Sequence, residues 1–132
     1  GKRLLLQVKH LMHTGQDLPK VAPHTPMNQV LYEISNKRLG LTTIVDEDDT
    51  LLGIFTDGDL RRLIDKQQGF DVNLAVSEVM TAQPTTIDAE ARAVEALAQL
   101  RDKKINQFVV VDAANKVIGV VSMHDLIQAG VN

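Results

Sequence analysis

The sequence contains no cysteine and no tryptophan, and its aromatic residues are one tyrosine and three phenylalanines in 132 residues. The absence of cysteine excludes a disulfide framework and a thiolate metal site, and it is compatible with a reducing compartment. So few aromatic rings leave little surface on which nucleic-acid bases could stack. We therefore expect a cytoplasmic protein that does not bind nucleic acid.

The chain also lacks an excess of positive charge and long apolar runs. Lysine and arginine number 14 against 17 aspartates and glutamates, giving a formal charge of −3. This balance argues against a broad face that neutralises phosphates. No apolar run approaches the roughly 20 residues that cross a bilayer, and the N-terminus lacks the apolar core of a secretion signal. We expect a soluble protein without a membrane partner.

The length is that of one ordinary domain, long enough to bury a sizeable core. Gly1 is not a natural start, and the apolar residues Leu4, Leu5 and Leu6 resemble the end of an element that begins upstream. We interpret the chain as an excerpt from a longer protein, with residues 1–7 as a linker. A leftover tag residue before a native terminus is the alternative.

Two stretches, residues 53–60 and 119–126, repeat one pattern. Each has a turn glycine, two apolar residues, a hydroxyl residue and, three positions on, a carboxylate. Their spacing is 66 residues (119 − 53), and self-similarity at a fixed period indicates one structural unit used twice. Met12 and Met80 match at 68 instead (80 − 12). Either extra turn residues around Gly15 or drift at the repeat ends explains the difference.

Each copy contains an amphipathic helix followed by β-branched runs. Thr25, before Pro26, is the predicted cap of the first helix, and Asp88 is that of the second. Apolar residues recur at helical spacing in both copies, namely Met27, Val30, Leu31 and Ile34 in the first and Ala93, Ala96, Leu97 and Leu100 in the second.

Short strands are predicted after each helix, over residues 41–46 and 51–55 in the first copy. Residues 107–112 and 117–121 are the matching strands of the second copy, and another helix then begins at the hydroxyl residue. With a short strand before each first helix, the repeat reads strand, helix, strand, strand, helix. We therefore predict an α+β fold of two βαββα repeats, packed by a pseudo-twofold into a flat disc with a cleft along the repeat interface.

The repeated turn has two interpretations. Thr56 with Asp59, and Ser122 with Asp125, fit the capping box, in which each side chain bonds the other residue's backbone N–H. The same groups, placed after a buried strand at a helix N-terminus, also form an anion site, and the carboxylate can accept two hydrogen bonds from a ribose diol.

This doubled turn resembles that of a tandem pair of CBS domains, the Bateman module, over about residues 8–130. The resemblance implies CBS repeats at residues 8–70 and 71–132 and a binding cleft for adenosine nucleotides or related ligands. In that family the hydroxyl residue tends to meet phosphate and the aspartate the ribose. These roles carry over to Thr56, Asp59, Ser122 and Asp125.

Residues 53–62 and 8–15 are further similar to the C-terminal CBS pair of bacterial arabinose-5-phosphate isomerases. Those enzymes interconvert ribulose 5-phosphate and arabinose 5-phosphate for Kdo synthesis, which feeds lipopolysaccharide or capsule. The resemblance implies that residues 1–7 link this pair to an upstream catalytic sugar-isomerase domain that is not in the chain. The chain alone is then no enzyme, holds no catalytic residue and requires no cofactor.

The resemblance implies an allosteric regulatory module that senses a nucleotide-like small molecule. AMP and ATP are candidate ligands, and pathway logic adds the cytidine-activated sugar CMP-Kdo as a feedback ligand. The alternative is a ligand-free structural or oligomerisation module, whose apolar residues Leu60, Leu63 and Ile64 bury against another copy. A homodimer of CBS pairs is the expected assembly.

The two copies differ beside the turn. Asp57 adds a second carboxylate to the first copy, which repels a phosphate unless an arginine offsets it, whereas His124 can donate to phosphate when protonated. We therefore favour the Ser122 turn for the ligand. Arg38, Lys104 and Asn106 lead into the strand that lines the predicted cleft and are further candidate contacts, although helix-end cations also stabilise the macrodipole.

No metal site is expected. His10 and His13 lie three residues apart without a third ligand, so surface histidines are the better interpretation. The acidic residues 46–49 lack the spacing of a calcium loop and are interpreted as a solvated hairpin turn.

Overall fold

The computed structural model describes residues 5–67 and 70–132, with no account of the Gln67 side chain. Residues 1–4 of the predicted linker lie outside the described residues. The chain forms two compact units. The central unit is Pro19–Pro84, and the terminal unit combines the N-terminal segment through Leu18 with Thr85–Asn132. Each is α+β, as predicted.

The central unit follows the predicted order of strand, helix, strand, strand, helix, with one further short strand. Its elements are β1 (Lys20–Val21), α1 (Met27–Lys37), β2 (Leu41–Val45), β3 (Leu51–Thr56), α2 (Asp57–Gln67) and β4 (Thr81–Ala82). The sheet order is β1-β2-β3-β4, with β1 parallel to β2 and the other pairs antiparallel. Strand β4 was not predicted.

The terminal unit repeats this order. Its elements are β5 (Thr86–Asp88), α3 (Ala93–Lys103), β6 (Gln107–Val111), β7 (Val117–Ser122) and α4 (Met123–Gln128). The sheet order is β5-β6-β7, and β5 is parallel to β6. His13 bridges to Val120 of β7 just as Thr81 pairs with Ile54 of β3. The N-terminal segment therefore occupies the edge position that β4 occupies in the central unit.

Each unit has its own apolar core, formed by the predicted helix faces. Burial follows the spacing of three and four residues, because that spacing places side chains on one face of a helix. The buried members are Met27, Val30 and Ile34 in α1 and Ala93, Ala96, Leu97 and Leu100 in α3. Phe55 of β3 and Phe108 of β6 are the largest fully buried side chains, one in each core.

The predicted helix caps at Thr25 and Asp88 are wrong. The N-cap residues are Pro26 in α1 and Arg92 in α3, and neither accepts a hydrogen bond through its side chain. The Asp88 carboxylate instead accepts the backbone N–H of Glu90 at 2.7 Å, inside the preceding turn.

Carbonyls of a neighbouring segment replace the missing caps. The Met27 N–H donates to the Leu74 carbonyl at 2.9 Å, and the Ala93 N–H donates to the Leu6 carbonyl at 2.8 Å. The donors are 66 residues apart (93 − 27), whereas the acceptors are 68 apart (74 − 6), the spacing of the two matched methionines. Two extra residues therefore precede α1, and the helical turn Gly15–Asp17 lies in that interval. Extra turn residues, not drift, explain the change of spacing.

Among the described residues, no helix is both long and apolar enough to cross a membrane.

Candidate functional site

The repeated turn of the central unit joins β3 directly to α2. The Thr56 N–H donates to Asp59 Oδ2 at 3.0 Å, and the Asp59 N–H donates to Thr56 Oγ1 at 3.0 Å. These reciprocal bonds are the predicted capping box, which satisfies two backbone donors that the helix leaves unpaired. They also hold the Asp59 carboxylate, whose side chain is only 14% exposed, in one orientation.

Two further side chains approach the Asp59 carboxylate from within the same unit. Arg62 Nη2 donates to Oδ1 at 2.7 Å, and Thr81 Oγ1 lies 3.4 Å from each oxygen. The Arg62 side chain is 66% exposed. Arg62 therefore offsets the charge of Asp59 rather than that of the exposed Asp57.

The turn of the terminal unit has the same box with one more bond. The Ser122 N–H donates to Asp125 Oδ2 at 3.0 Å, the Ser122 hydroxyl donates to the same oxygen at 2.7 Å, and the Asp125 N–H donates to Ser122 Oγ at 3.0 Å. The Asp125 side chain is 18% exposed. Both predicted pairs are thus brought together, each within its own unit.

His13 completes the terminal turn, and the sequence did not identify it as a site residue. Its Nε2 lies 2.9 Å from Asp125 Oδ2 and 3.0 Å from Oδ1, and its side chain is 31% exposed. The prediction of a surface histidine is therefore wrong for His13. The 68-residue spacing was the signal that could have found it, since it matches His13 with Thr81.

A family comparison accounts for the doubled unit. The CBS domain profile matches residues 8–66 and 76–132. The chain belongs to the CBS domain family. It is therefore a CBS pair, and the predicted resemblance is confirmed.

Curated relatives of this CBS pair are arabinose 5-phosphate isomerases named KdsD. The protein from Pseudomonas aeruginosa is 47% identical over 132 residues, which cover 99% of this chain and 40% of that protein. The protein from Francisella tularensis is 42% identical over 128 residues, which cover 97% of this chain and 38% of that protein. The CBS pair thus spans about 40% of the length of these relatives.

Solved structures share the fold of the CBS pair. CBSX2 in complex with AMP is 26% identical, with a TM-score of 0.79 and coverage of 94% of this chain and 95% of that chain. A CBS-domain protein from Agrobacterium tumefaciens is 21% identical, with a TM-score of 0.83 and coverage of 97% and 96%. The second likeness supports the fold alone.

The remaining predicted contacts lie at different places in the CBS pair. The Met123 N–H donates to the Asn106 carbonyl at 2.8 Å, so the backbone of Asn106 reaches the Ser122 turn. Arg38 and Lys104 end α1 and α3 in the left-handed conformation, with φ of 63° and 57°. Among the described residues, no hydrogen bond or ion pair joins either side chain to a turn. His124 is exposed at the first turn of α4.

The acidic hairpin of the CBS pair is a turn, as predicted. Asp46 Oδ1 accepts the N–H groups of Asp48 at 2.9 Å and Thr50 at 3.0 Å. Asp112 accepts the N–H groups of Ala114 and Lys116 in the same way. In the described part of the chain, no group of three metal-ligating side chains is assembled.

A groove of about 410 Å³ lies in the central unit of the CBS pair, away from the repeated turn. It is lined by the segment from Lys20 to His24 and by the hairpin that follows Val45, and Lys20 Nζ pairs with Asp49 Oδ2 at 3.2 Å across it. Since Leu41, at the other end of β2, is the residue that pairs with Thr56, the groove and the turn lie at opposite ends of this strand.

Proposed function

We propose that this CBS pair is the nucleotide-sensing regulatory part of an arabinose 5-phosphate isomerase. The observation that carries the proposal is the doubled turn, in which each unit presents a fixed hydroxyl and a fixed carboxylate from one helix start. Its support comes from the likeness to CBSX2 in complex with AMP and from the identity with the isomerases of 47% and 42%. The proposed compartment is the cytoplasm, where sugar phosphates and nucleotides are found.

In the proposed site, the hydroxyls of Thr56 and Ser122 donate to ligand phosphate, and Asp59 and Asp125 accept the hydroxyls of a ribose. A carboxylate suits a vicinal diol because it carries two acceptor oxygens and no donor. His124 at one turn adds a donor for phosphate when protonated.

Three further residues are proposed ligand contacts, namely Arg38, Lys104 and Asn106. The two cations supply charge for phosphate, and the Asn106 amide supplies both a donor and an acceptor for a base or sugar. The first two are exposed, so the ligand reaches them without unfolding a helix end.

Regulation requires that the ligand bind one conformation of the isomerase better than another, because equal affinity shifts no equilibrium. We propose AMP, ATP or the cytidine-activated sugar CMP-Kdo as the ligand and the upstream sugar-isomerase domain as the partner that responds. The parent enzyme would supply arabinose 5-phosphate for lipopolysaccharide. In this proposal residues 1–7 are the linker, and the repeats are residues 8–70 and 71–132.

Thermal-shift screening tests the proposal, because a ligand that binds only the folded state raises the melting temperature by mass action. We expect at least one of AMP, ATP and CMP-Kdo to raise the melting temperature of the chain. An Asp59→Asn/Asp125→Asn double variant should lose that rise, while an Asp65→Asn variant, changed in the same helix α2 but outside the turn, should keep it. No shift with any of the three compounds would contradict the proposal.

The alternative function is a structural module that holds isomerase copies together. Leu60 and Leu63 pack against the core of their own unit, which leaves Ile64, 44% exposed, as the apolar residue of this helix available to a partner. An Ile64→Lys variant should then dissociate a dimer in sedimentation velocity, while Val72→Lys, another exposed apolar position, should not. Unchanged sedimentation of Ile64→Lys counts against this alternative.

A further inference from the structure

The Asp125 carboxylate has an inner oxygen and an open edge. Oδ2 accepts the Ser122 N–H at 3.0 Å and the Ser122 hydroxyl at 2.7 Å, and the Asp125 backbone is tied to the same serine. These bonds come from residues of the turn itself. The carboxylate therefore keeps its orientation without help from another segment, and the edge formed by both oxygens remains for a second partner.

His13 occupies that edge. Its Nε2 lies at nearly equal distances from the two oxygens, 2.9 and 3.0 Å. Equal distances place the nitrogen close to the line that bisects the carboxylate, on the side where both oxygens accept hydrogen bonds. A vicinal diol that donates one hydroxyl to each oxygen needs the same position. Imidazole and diol cannot both hold it.

The backbone fixes His13 in front of the carboxylate. The His13 N–H donates to the Val120 carbonyl at 2.8 Å, and the Val120 N–H donates to the His13 carbonyl at 3.1 Å. Because this pair of bonds fixes the backbone, the imidazole can leave only by rotating its side chain. The histidine is thus an attached competitor at high effective concentration.

The central unit lacks such a competitor. Thr81, at the matching position, lies 3.4 Å from both Asp59 oxygens, at the outer limit for a hydrogen bond between oxygen atoms. Arg62 contacts only Oδ1, and its mostly exposed side chain can swing into solvent. A diol can therefore reach Asp59 at lower cost than Asp125.

We propose that His13 is a specificity-determining residue that competes with the ligand diol for Asp125. This inference rests on the proposed nucleotide-sensing function. A diol that binds at Asp125 displaces the imidazole, whereas a ligand without a diol leaves it in place. Asp59 accepts a diol first, and Asp125 accepts one only when the ligand outcompetes the N-terminal segment.

Calorimetric titration with AMP and 2′-deoxy-AMP tests the competition. An Asp59→Asn background removes the diol acceptor of the central unit, so that binding reports on Asp125. In that background, His13→Ala should tighten AMP binding about tenfold, the ratio expected when one hydrogen bond to a charged group no longer opposes the ligand. His13→Thr, which carries the residue type of position 81, should give a smaller gain in the same direction and serves if His13→Ala folds poorly.

Two controls sharpen the result. The affinity for 2′-deoxy-AMP, which lacks the diol, should not improve in the His13 variants. His10→Ala removes an exposed histidine of the same segment and should leave AMP affinity unchanged. Addition of AMP to the unmutated chain should also shift the NMR signals of the His13 ring more than those of the His10 ring.

The outcomes separate the inference from the function beneath it. Unchanged or weaker AMP binding by both His13 variants, with binding still lost in the Asp59→Asn/Asp125→Asn variant, overturns the competition and leaves the sensing function standing. An equal gain for 2′-deoxy-AMP overturns the competition as well. No AMP binding by the unmutated chain or any His13 variant overturns the competition, and if ATP and CMP-Kdo also fail to bind, the sensing function falls with it.

Discussion

The Met80 sulfur lies over Gly53, only 2.7 Å from the position that a Cβ atom on this glycine would take. Met12 covers Gly119 in the same way, with its sulfur at 2.6 Å. Each glycine is thus the point of a strand at which an edge segment of the same unit crosses closely. The glycine that opens each repeated turn is required for packing, because any side chain there would meet the methionine and its neighbouring backbone.

Gly53→Ala should therefore destabilise the protein. The added methyl group meets both the Met80 side chain and the Thr81 carbonyl, and such overpacking costs about 1–3 kcal/mol of unfolding free energy. Gly58→Ala is the matched control, because its nearest neighbours are at ordinary contact distance and alanine favours a helix by about 0.5–1 kcal/mol. Urea denaturation should show opposite signs for the two variants. Equal effects would refute the packing account of Gly53.

The matched leucines of α1 and α3 should differ in their contribution to stability. Leu97 is fully buried in the terminal unit, so Leu97→Ala should lower the unfolding free energy by about 2–5 kcal/mol. Leu31 holds the same repeat position but is only partly buried, and Leu31→Ala should cost about 1 kcal/mol. Chemical denaturation of both variants measures the difference. A larger loss for Leu31→Ala would contradict the burial pattern.

Lys104→Gly should separate stability from binding. Lys104 ends α3 with φ of 57°, a conformation that strains every residue with a Cβ, so glycine should raise the unfolding free energy by about 0.5–1 kcal/mol. The same change removes a cation from the proposed ligand contacts and should weaken AMP binding. Thermal melts with and without AMP give both values. Arg38→Gly tests the equivalent position of α1, and unchanged AMP affinity in both variants would remove these residues from the proposed site.

Loss of the terminal capping box should destabilise α4. Ser122→Ala leaves the Asp125 N–H without its side-chain acceptor and should cost about 1 kcal/mol. Ser122→Thr, which carries the residue type found at Thr56, should retain most of that stability because it keeps the hydroxyl. Denaturation midpoints of the three proteins provide the test. A threonine variant as unstable as the alanine variant would show that the hydroxyl bond is not the cause.

Several features of the site followed from residue order alone. The capping boxes were predictable because both partners of each bond lie three residues apart, and the hairpin turns because the aspartate bonds N–H groups two and four residues ahead. In contrast, the helix caps at Thr25 and Asp88 failed, since the acceptors of the first helical N–H groups come from Leu74 and Leu6. Local rules do not detect an acceptor supplied by a distant segment.

The sequence by itself determined the number of repeats, the order of strands and helices, the buried helix faces and the paired turns. All of these depend on spacing within one repeat, where the period of the apolar residues and the reach of short side chains decide the outcome. Only the tertiary structure decided that His13, 112 residues before Asp125, lies against that carboxylate. The edge pairing of the N-terminal segment with β7 creates this contact, because strand pairing joins residues that no local spacing relates.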